Sequence, residues 1–351
     1  MTFKFKFGLV VLLAIAAFSA MQPMALNAEE LLVANGFGAP VAYRVVTNGG
    51  KVTASINMGV NPFDVAVTPD SKTAYASRPG VNDVAVINLA TNTVSAGIAL
   101  GTTPRNLAMN AAATRLYVAT SDGVTAVDIT LQPDGSRPNS IVVSESISLA
   151  AFGGNARSVS TSGAFLAIGS NGYMFLFDIS AAPPVLLASR FIGQVVNHVM
   201  FAPGGTKVYA ALEGTNNAID ETGMITDFGN LFIMRVSTLA VKSVVPLGSF
   251  PLNTTALFNQ YLYVTTIGGE LWSLDTSTGV PASPNPLIIC CALTGIAAST
   301  NIFVGNGSMG EIQIVRTGRT PTDDRIDGKI TLPSGSEPRG IAVIPRIKGK
   351  P

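Results

Sequence analysis

The fold is decided by residues 59–67, GVNPFDVAV, and by their near copy at residues 101–109, GTTPRNLAM. Each copy has a Gly, a Pro three residues later, and then alternating apolar residues that are typical of a strand. A Tyr follows sixteen residues after each Gly, at Tyr75 and Tyr117. A pattern repeated in this way predicts an array of similar structural units.

Weaker copies of this pattern continue in the same phase along the chain. There are seven copies in all, and successive copies are 40 to 55 residues apart. No helical period competes with them after residue 28. The residues at the Gly position are Gly59, Gly101, Gly153, Gly193, Gly248, Cys290 and Gly335.

Each unit has short apolar runs of period two, which predict antiparallel strands joined by tight turns. The second unit has four such runs, at residues 107–109, 115–120, 124–129 and 141–149. Radial closure of such units leaves few exposed sheet edges. The repeat therefore predicts an all-β fold, a seven-bladed β-propeller of four-stranded antiparallel blades.

The two ends of the chain predict how the ring closes. Residues 31–35, 41–46 and 52–56 resemble the second to fourth strands of a unit that lacks its first strand. Residues 338–343 have the pattern of a first strand. We therefore expect the C-terminal strand to complete the N-terminal blade of a single propeller domain over residues 29–351.

The first 28 residues predict export. Lys4 and Lys6 precede an apolar run from Gly8 to Phe18, and small residues follow up to Ala28. This is the pattern of a secretory signal peptide, and the run is shorter than the roughly 20 residues that a spanning helix needs. We expect cleavage after Ala28, no transmembrane anchor, and a periplasmic, extracellular or cell-surface location.

The repeat units resemble those of the YVTN-family β-propellers, which are secreted and surface-layer repeat proteins. The signature is clearest at residues 117–120 (YVAT), 263–266 (YVTT) and 32–35 (LVAN). Three units depart from the pattern, because they have Ala156, Val196 and Leu293 at the Pro position. The resemblance implies a seven-bladed fold and an envelope location, and it implies no particular reaction.

The composition excludes several classes of protein. Only 12% of the residues are charged, against about 25% in ordinary soluble domains, and the formal net charge of +1 gives no basic surface for nucleic acid. The chain has one His, which excludes multi-His metal centres and catalysis by several imidazoles. Neither a nucleophile elbow nor a cluster of metal ligands is present, so we assign no catalytic residue, metal or cofactor.

Candidate binding residues lie in the loops that enter each first strand, at the mouth of the predicted axial channel. Arg105, Arg157 and Arg339 each follow a Pro position directly, so they share one register. Three guanidiniums around one axis would form a positive funnel suited to a carboxylate or a phosphate. The next position supplies the remaining candidates, which are Asp64, Asn106, His198 and Asn253.

A structural role is open for the same residues. The Arg side chains could cap loop carbonyls, or pair with Asp64 and Glu337 around the ring. His198 lies in an apolar strand segment, where a single imidazole is usually a hydrogen-bonded structural group.

Cys290 and Cys291 are the only cysteines of the chain, and they are adjacent. In an oxidising compartment we expect them to form a vicinal disulfide. Cys290 occupies a Gly position, which predicts that the pair lies at the same mouth as the Arg residues. Loop rigidification, ligand contact and redox switching are the roles that the sequence leaves open.

The sequence favours a non-enzymatic binding or interaction module. Its partner would be a small anionic ligand or an envelope protein, bound at the axial funnel face. The insertion at residues 213–230 is interpreted as a lid or a partner-binding loop. The alternatives are a propeller hydrolase of the lactonase type and a passive surface-layer or envelope scaffold. The sequence does not predict an oligomeric state.

Overall fold

The computed structural model describes residues 29–95, 97–213, 229–247, 251–258 and 260–346, with the backbone alone at 251–257. The predicted signal peptide, most of the insertion at 213–230 and the Gly position at 248 lie outside these residues. In the described part, no helix is long and apolar enough to cross a membrane.

The described residues form 28 strands, numbered here in chain order, and four short 3-10 helices. The first fourteen strands are β1 (Glu30–Asn35), β2 (Val41–Val46), β3 (Lys51–Asn57), β4 (Val65–Val67), β5 (Thr73–Arg78), β6 (Asp83–Asn88), β7 (Thr93–Val94), β8 (Ile98–Ala99), β9 (Pro104–Met109), β10 (Arg115–Thr120), β11 (Gly123–Asp128), β12 (Ser140–Ile141), β13 (Ile147–Ser148) and β14 (Ala156–Ser162).

The other fourteen strands are β15 (Phe165–Asp178), β16 (Val185–Phe201), β17 (Lys207–Leu212), β18 (Asn230–Arg235), β19 (Val241–Pro246), β20 (Pro251–Phe258), β21 (Tyr261–Thr266), β22 (Glu270–Asp275), β23 (Leu287–Ile288), β24 (Leu293–Ala298), β25 (Ile302–Asn306), β26 (Glu311–Arg316), β27 (Arg325–Thr331) and β28 (Pro338–Ile344). The 3-10 helices are Pro79–Val81, Val143–Glu145, Ala150–Phe152 and Pro321–Asp323.

These strands form six antiparallel sheets arranged as the blades of a β-propeller. Three sheets have four strands, in the orders β28-β1-β2-β3, β20-β21-β22-β23 and β24-β25-β26-β27. Two sheets have five strands, β4 to β8 and β9 to β13, and one has six, β14 to β19. The prediction of seven blades with four strands each is therefore wrong.

The six-stranded sheet explains the difference in blade number, because it contains the repeat units that begin at Gly153 and Gly193. β16 runs unbroken through Val185–Phe201, pairing first with β15 and then with β17. The second of these units has Val196 where Pro104 begins the inner strand of another unit. The absence of Pro permits the hydrogen-bonded backbone to continue from one unit into the next but does not require it, since β14 and β24 begin as separate strands at the non-Pro residues Ala156 and Leu293.

The five-stranded sheets arise because an outer strand is broken. The sequence predicts one strand at residues 141–149, whereas the structure has β12, the 3-10 helix Val143–Glu145 and β13. Glu145 pairs with Arg115 on β10, with 2.8 Å between Oε2 and Nε, which fixes this turn against its own sheet. The hydrophobic period alone does not distinguish a broken outer strand from a continuous one.

The ring closes as the two chain ends predict. β28 pairs antiparallel with β1, and Leu31 lies opposite Val343. The first strands of the repeats contact one another in turn around a closed circle, which runs β4, β9, β14, β16, β20, β24, β28 and back to β4.

The core consists of hydrophobic clusters between neighbouring sheets, and one further cluster within the six-stranded sheet. Tyr75, Tyr117, Tyr209 and Tyr263, each on the second strand of its repeat unit, are fully buried. The hydroxyls of Tyr75 and Tyr263 donate to Asn139 Oδ1 and Asp324 Oδ2 in loops of the next sheet, each at 2.7 Å. At these two positions the aromatic side chain therefore joins neighbouring sheets as well as filling space.

Candidate functional site

The backbone has the same left-handed conformation at the six repeat Gly positions that the structure describes. The glycines of the repeat at 59, 101, 153, 193 and 335 have φ between 74° and 85°, a conformation in which an L side chain is disfavoured. Cys290, which replaces Gly in the sixth copy, has φ 86°. The alignment of the repeats is thus reproduced in the backbone, and it brings the residues after each turn to one end of the channel.

A cavity of about 410 Å³ lies at this mouth, and all three predicted Arg residues line it. Their side chains therefore share one space, as the register predicts. The other lining residues are Phe63, Asn197, Glu213, Ile267, Ala292, Thr294 and Glu337.

The three guanidinium groups differ in their partners. Arg339 Nε donates to Glu337 Oε1 at 2.8 Å, and its guanidinium lies 5.5 Å from the centre of the Phe63 ring. Arg157 Nε donates to Asn171 Oδ1 at 2.8 Å. Arg105 Nε is buried and has no hydrogen-bond partner among the described residues.

The electrostatic environment of Arg105 is unfavourable for a cation. Burial, together with the neighbouring charges of Arg157 and Arg339, lowers the pKa of Arg105 below its ordinary value. Glu213 and Glu337 offset part of the positive charge of the mouth, leaving a formal charge of +1 over the five ionisable side chains. An anion next to Arg105 would relieve both the repulsion and the missing hydrogen bond.

A second, smaller cavity of about 170 Å³ lies against the same residues, deeper between the inner strands. Asp64, Asn106 and His198 line it together with Arg157 and Arg339. Six of the seven predicted binding residues therefore lie along these two cavities. For the seventh, Asn253, the side chain lies outside the described part of the structure.

Asp64 and Asn106 link neighbouring blades through hydrogen bonds. Asp64 Oδ2 accepts from Asn106 Nδ2 at 2.8 Å and from the Leu107 backbone N–H at 2.9 Å. Asn106 Oδ1 in turn accepts from the Val159 N–H at 2.9 Å. The next member is Ser158, whose Oγ accepts from the Val199 N–H at 3.1 Å.

These hydrogen bonds hold four successive inner strands together, β4, β9, β14 and β16. Asp64, Asn106 and Ser158 stand at the same position of their repeats, and each binds the N–H of the residue one position later in the next repeat. Asp64, Asn106 and Ser158 therefore have a structural role beside the smaller cavity. The spacing of the repeat alone could not distinguish this role from ligand binding.

Two ionisable groups of the smaller cavity have strongly shifted pKa values. Burial raises the pKa of Asp64 from 3.8 to about 6, although its backbone and Asn106 hydrogen bonds oppose the shift. Burial lowers the pKa of His198 from 6.5 to about 4. At neutral pH the imidazole is therefore uncharged and Asp64 is mostly ionised.

The predicted vicinal disulfide between Cys290 and Cys291 is present. Cys290 is exposed and Cys291 is half-buried, and the next residue, Ala292, lines the mouth cavity. Asn306 Nδ2 donates to the Cys290 carbonyl at 2.9 Å. Gly269 packs so closely that a Cβ there would lie 2.5 Å from the Cys291 nitrogen. The disulfide thus forms a fixed part of the rim.

Seven lining residues of the mouth were not among the predicted site residues. Three of them, Phe63, Asn197 and Thr294, occupy the same register as the three Arg residues, so the repeat was a sufficient signal for them. Glu337 lies two residues before Arg339 and enters the mouth through their ion pair. No group of three or more His, Cys, Asp or Glu residues in the described part could hold a metal ion.

The closed ring of sheets around an axial channel defines a β-propeller. No family model matches the chain, and no curated protein does. The fold is similar to a protein of unknown function from Desulfotomaculum acetoxidans, with a TM-score of 0.68, 13% identity, and coverage of 91% of this chain and 100% of the other.

Two further solved structures are similar. AztD from Citrobacter koseri has a TM-score of 0.62 and 12% identity over 90% of this chain and 98% of its own. Hydrazine synthase from Kuenenia stuttgartiensis has a TM-score of 0.57 and 16% identity over 73% and 76%. At these identities the likeness shows the propeller fold alone.

Proposed function

We propose that this chain is an exported β-propeller of the YVTN type that binds a small anion at the mouth of its axial channel. The observation that supports this proposal is Arg105, a half-buried side chain beside Arg157 and Arg339 whose Nε is buried and has no partner among the described residues. A buried donor without a partner destabilises the folded protein, and a bound carboxylate or phosphate would satisfy it.

The hydrogen bonds of Asp64 favour binding over hydrolysis. Val65, Asn106 and Leu107 already donate to its two oxygens at 2.8 to 2.9 Å. A general base needs a free oxygen directed at the substrate. The proposal accordingly gives Asp64 a structural role and the three Arg residues the contact with the ligand. A periplasmic or cell-surface location, after removal of residues 1–28, belongs to the same proposal.

Isothermal titration calorimetry with inorganic phosphate and with succinate tests the proposal. We expect at least one of these anions to bind, and Arg105→Gln to weaken its affinity by roughly tenfold or more, because a charge-assisted hydrogen bond is lost. Arg316→Gln is the matched control, since it removes the same charge from a half-exposed side chain that does not line the mouth. Absence of binding by both anions, or equal binding by Arg105→Gln, would refute the proposal.

The same variant has a ligand-free readout. Because Arg105 is half-buried beside two other cations, Arg105→Gln should raise the thermal unfolding midpoint at low ionic strength. The gain should shrink in about 0.5 M NaCl, where charge repulsion is screened. Arg339→Gln, which removes a cation that has a carboxylate partner, should show no such gain.

A further inference from the structure

A larger cavity of about 620 Å³ adjoins the mouth, and the proposed function makes no use of it. It shares three lining residues with the mouth cavity, namely Phe63, Arg105 and Arg339. The two spaces therefore meet at these side chains. We call the larger one the proline groove.

The walls of the proline groove are uncharged except at the end that meets the mouth, and they are mostly apolar, with Asn61 and Thr103 as the uncharged polar side chains. Four proline rings and Val60 line it, and no carboxylate is among its lining residues in the described part of the chain. Among its described lining residues, the cationic side chains are the shared Arg105 and Arg339. Polarity therefore changes along the site, from cations at the channel axis to hydrocarbon at the outer end. The prolines are Pro40, Pro62, Pro79 and Pro104.

The groove is held in shape by hydrogen bonds between its loops. Asn61 Nδ2 donates to the carbonyl of Asn35 at 3.1 Å, and this bond joins the loop before β4 to the hairpin between β1 and β2. Arg78 Nη1 donates to the carbonyl of Met58 at 2.7 Å, which joins the same loop to the 3-10 helix Pro79–Val81. Such preorganisation lowers the entropic cost of binding.

The position of Arg339 depends on a glycine. A Cβ at Gly36 would lie 2.4 Å from Arg339 Cδ, so the side chain crosses this residue in close contact. The guanidinium then reaches the Phe63 ring and Glu337, at the junction of the two spaces. The junction is thus a cation above an aromatic face, with a charged space on one side and an apolar space on the other.

We propose that the mouth and the proline groove form one site for an amphiphilic anion. Its carboxylate or phosphate lies among Arg105, Arg157 and Arg339, and its aryl or short alkyl body lies along Val60, Phe63 and the prolines. This inference rests on the proposed function and specifies its ligand class. A groove of this size has room for an aromatic ring, since a cavity of about 150 Å³ holds a benzene molecule.

The test is calorimetric titration of the full chain with inorganic phosphate, n-butyl phosphate and phenyl phosphate, which share one head group. Burial of an apolar body predicts about a fourfold gain in affinity for each fully buried methylene. We expect phenyl phosphate to bind at least roughly tenfold more tightly than phosphate, with a more negative heat-capacity change.

Variants separate the two parts of the site. Val60→Ser should remove much of the gain from the apolar body and leave the affinity for inorganic phosphate unchanged. Val280→Ser is the matched control on an exposed valine outside the groove. Arg105→Gln should weaken all three ligands together.

The outcomes distinguish this inference from the proposed function. Equal affinities for the three phosphates in the unaltered protein would refute the amphiphilic ligand and would not contradict the proposed anion site. Binding of none of them, nor of succinate, would overturn both. The ligand series on the unaltered protein needs no variant to fold.

Discussion

Asp64 and His198 line the same small cavity, and burial shifts their pKa values in opposite directions. Between pH 4 and 6 the folded protein holds a proton on Asp64 that the unfolded chain has released, so this residue lowers stability as the pH rises. His198 acts in the reverse sense, because the unfolded chain holds the proton between pH 4 and 6.5. The two contributions therefore oppose each other over the same range.

Single variants should reveal these opposed contributions. With Asp64→Asn, the unfolding free energy relative to the unaltered protein should rise as the pH increases from 4 to 6, because the opposing Asp64 contribution is removed. With His198→Gln, the same difference should fall as the pH increases from 4 to 6.5. Each change should amount to about 3 kcal/mol, since the pKa of Asp64 changes from 3.8 to about 6 and that of His198 from 6.5 to about 4, and one pKa unit corresponds to about 1.4 kcal/mol.

Urea unfolding at a series of pH values provides the measurement, and the difference from the unaltered protein removes the background of other carboxylates. Parallel pH profiles for both variants and the unaltered protein would show that neither group is shifted as the structure indicates.

At the scale of single residues, the sequence predicted more of the mouth cavity than of the hydrogen bonds beside the smaller cavity. The shared register was enough to bring Arg105, Arg157 and Arg339 into one cavity. It could not show that Asn106 and Ser158 hold the next inner strand, because those bonds depend on distances between repeats that no spacing within one repeat specifies.

At the scale of the element, the loop that enters each inner strand requires a left-handed residue. Cys290 has φ 86° where the other described copies have Gly, so an L side chain stands in a conformation that glycine adopts without steric cost. The disulfide and the close packing of Gly269 hold this loop against the rim.

The cost of the side chain can be measured with two double variants. Cys290→Gly with Cys291→Ala should be more stable than Cys290→Ala with Cys291→Ala by about 1 kcal/mol, because both lack the disulfide and differ only in the Cβ at residue 290. Chemical denaturation gives the difference. Equal stability would mean that the loop leaves the left-handed conformation once the disulfide is absent.

At the scale of the whole molecule, the repeat predicted the propeller and the closing strand but not the number of sheets. The apolar period of residues 185–201 is as consistent with two strands as with the single strand β16. Whether such a segment breaks depends on the hydrogen bonds that its neighbours offer, and these belong to the assembled ring. The resemblance to YVTN repeats likewise implied seven blades.

Inner strands pack closely where β28 meets the next blade. A Cβ at Gly340 on β28 would lie 2.7 Å from the Cα of Asp64 in the next blade, so Gly340→Ala must push two inner strands apart. We expect a loss of about 2 to 3 kcal/mol in unfolding free energy. Gly328→Ala on β27 is the control, because its Cβ would meet nothing within 4 Å.

Urea denaturation compares these two variants, and Gly328→Ala should stay within about 0.5 kcal/mol of the unaltered protein. A tolerated Gly340→Ala would show that the blades can separate at the closing contact without loss of the fold.

The pairing of β28 with β1 also orders events in time. A ribosome makes Glu30–Asn35 early and Pro338–Ile344 late, so the first strand must wait for its partner through nearly all of translation. Until then one edge of β1 is open and the circle is incomplete. The nascent polypeptide therefore cannot reach its native state before synthesis of β28. Until then the chain is incompletely folded and can still pass through a narrow pore as an extended polypeptide.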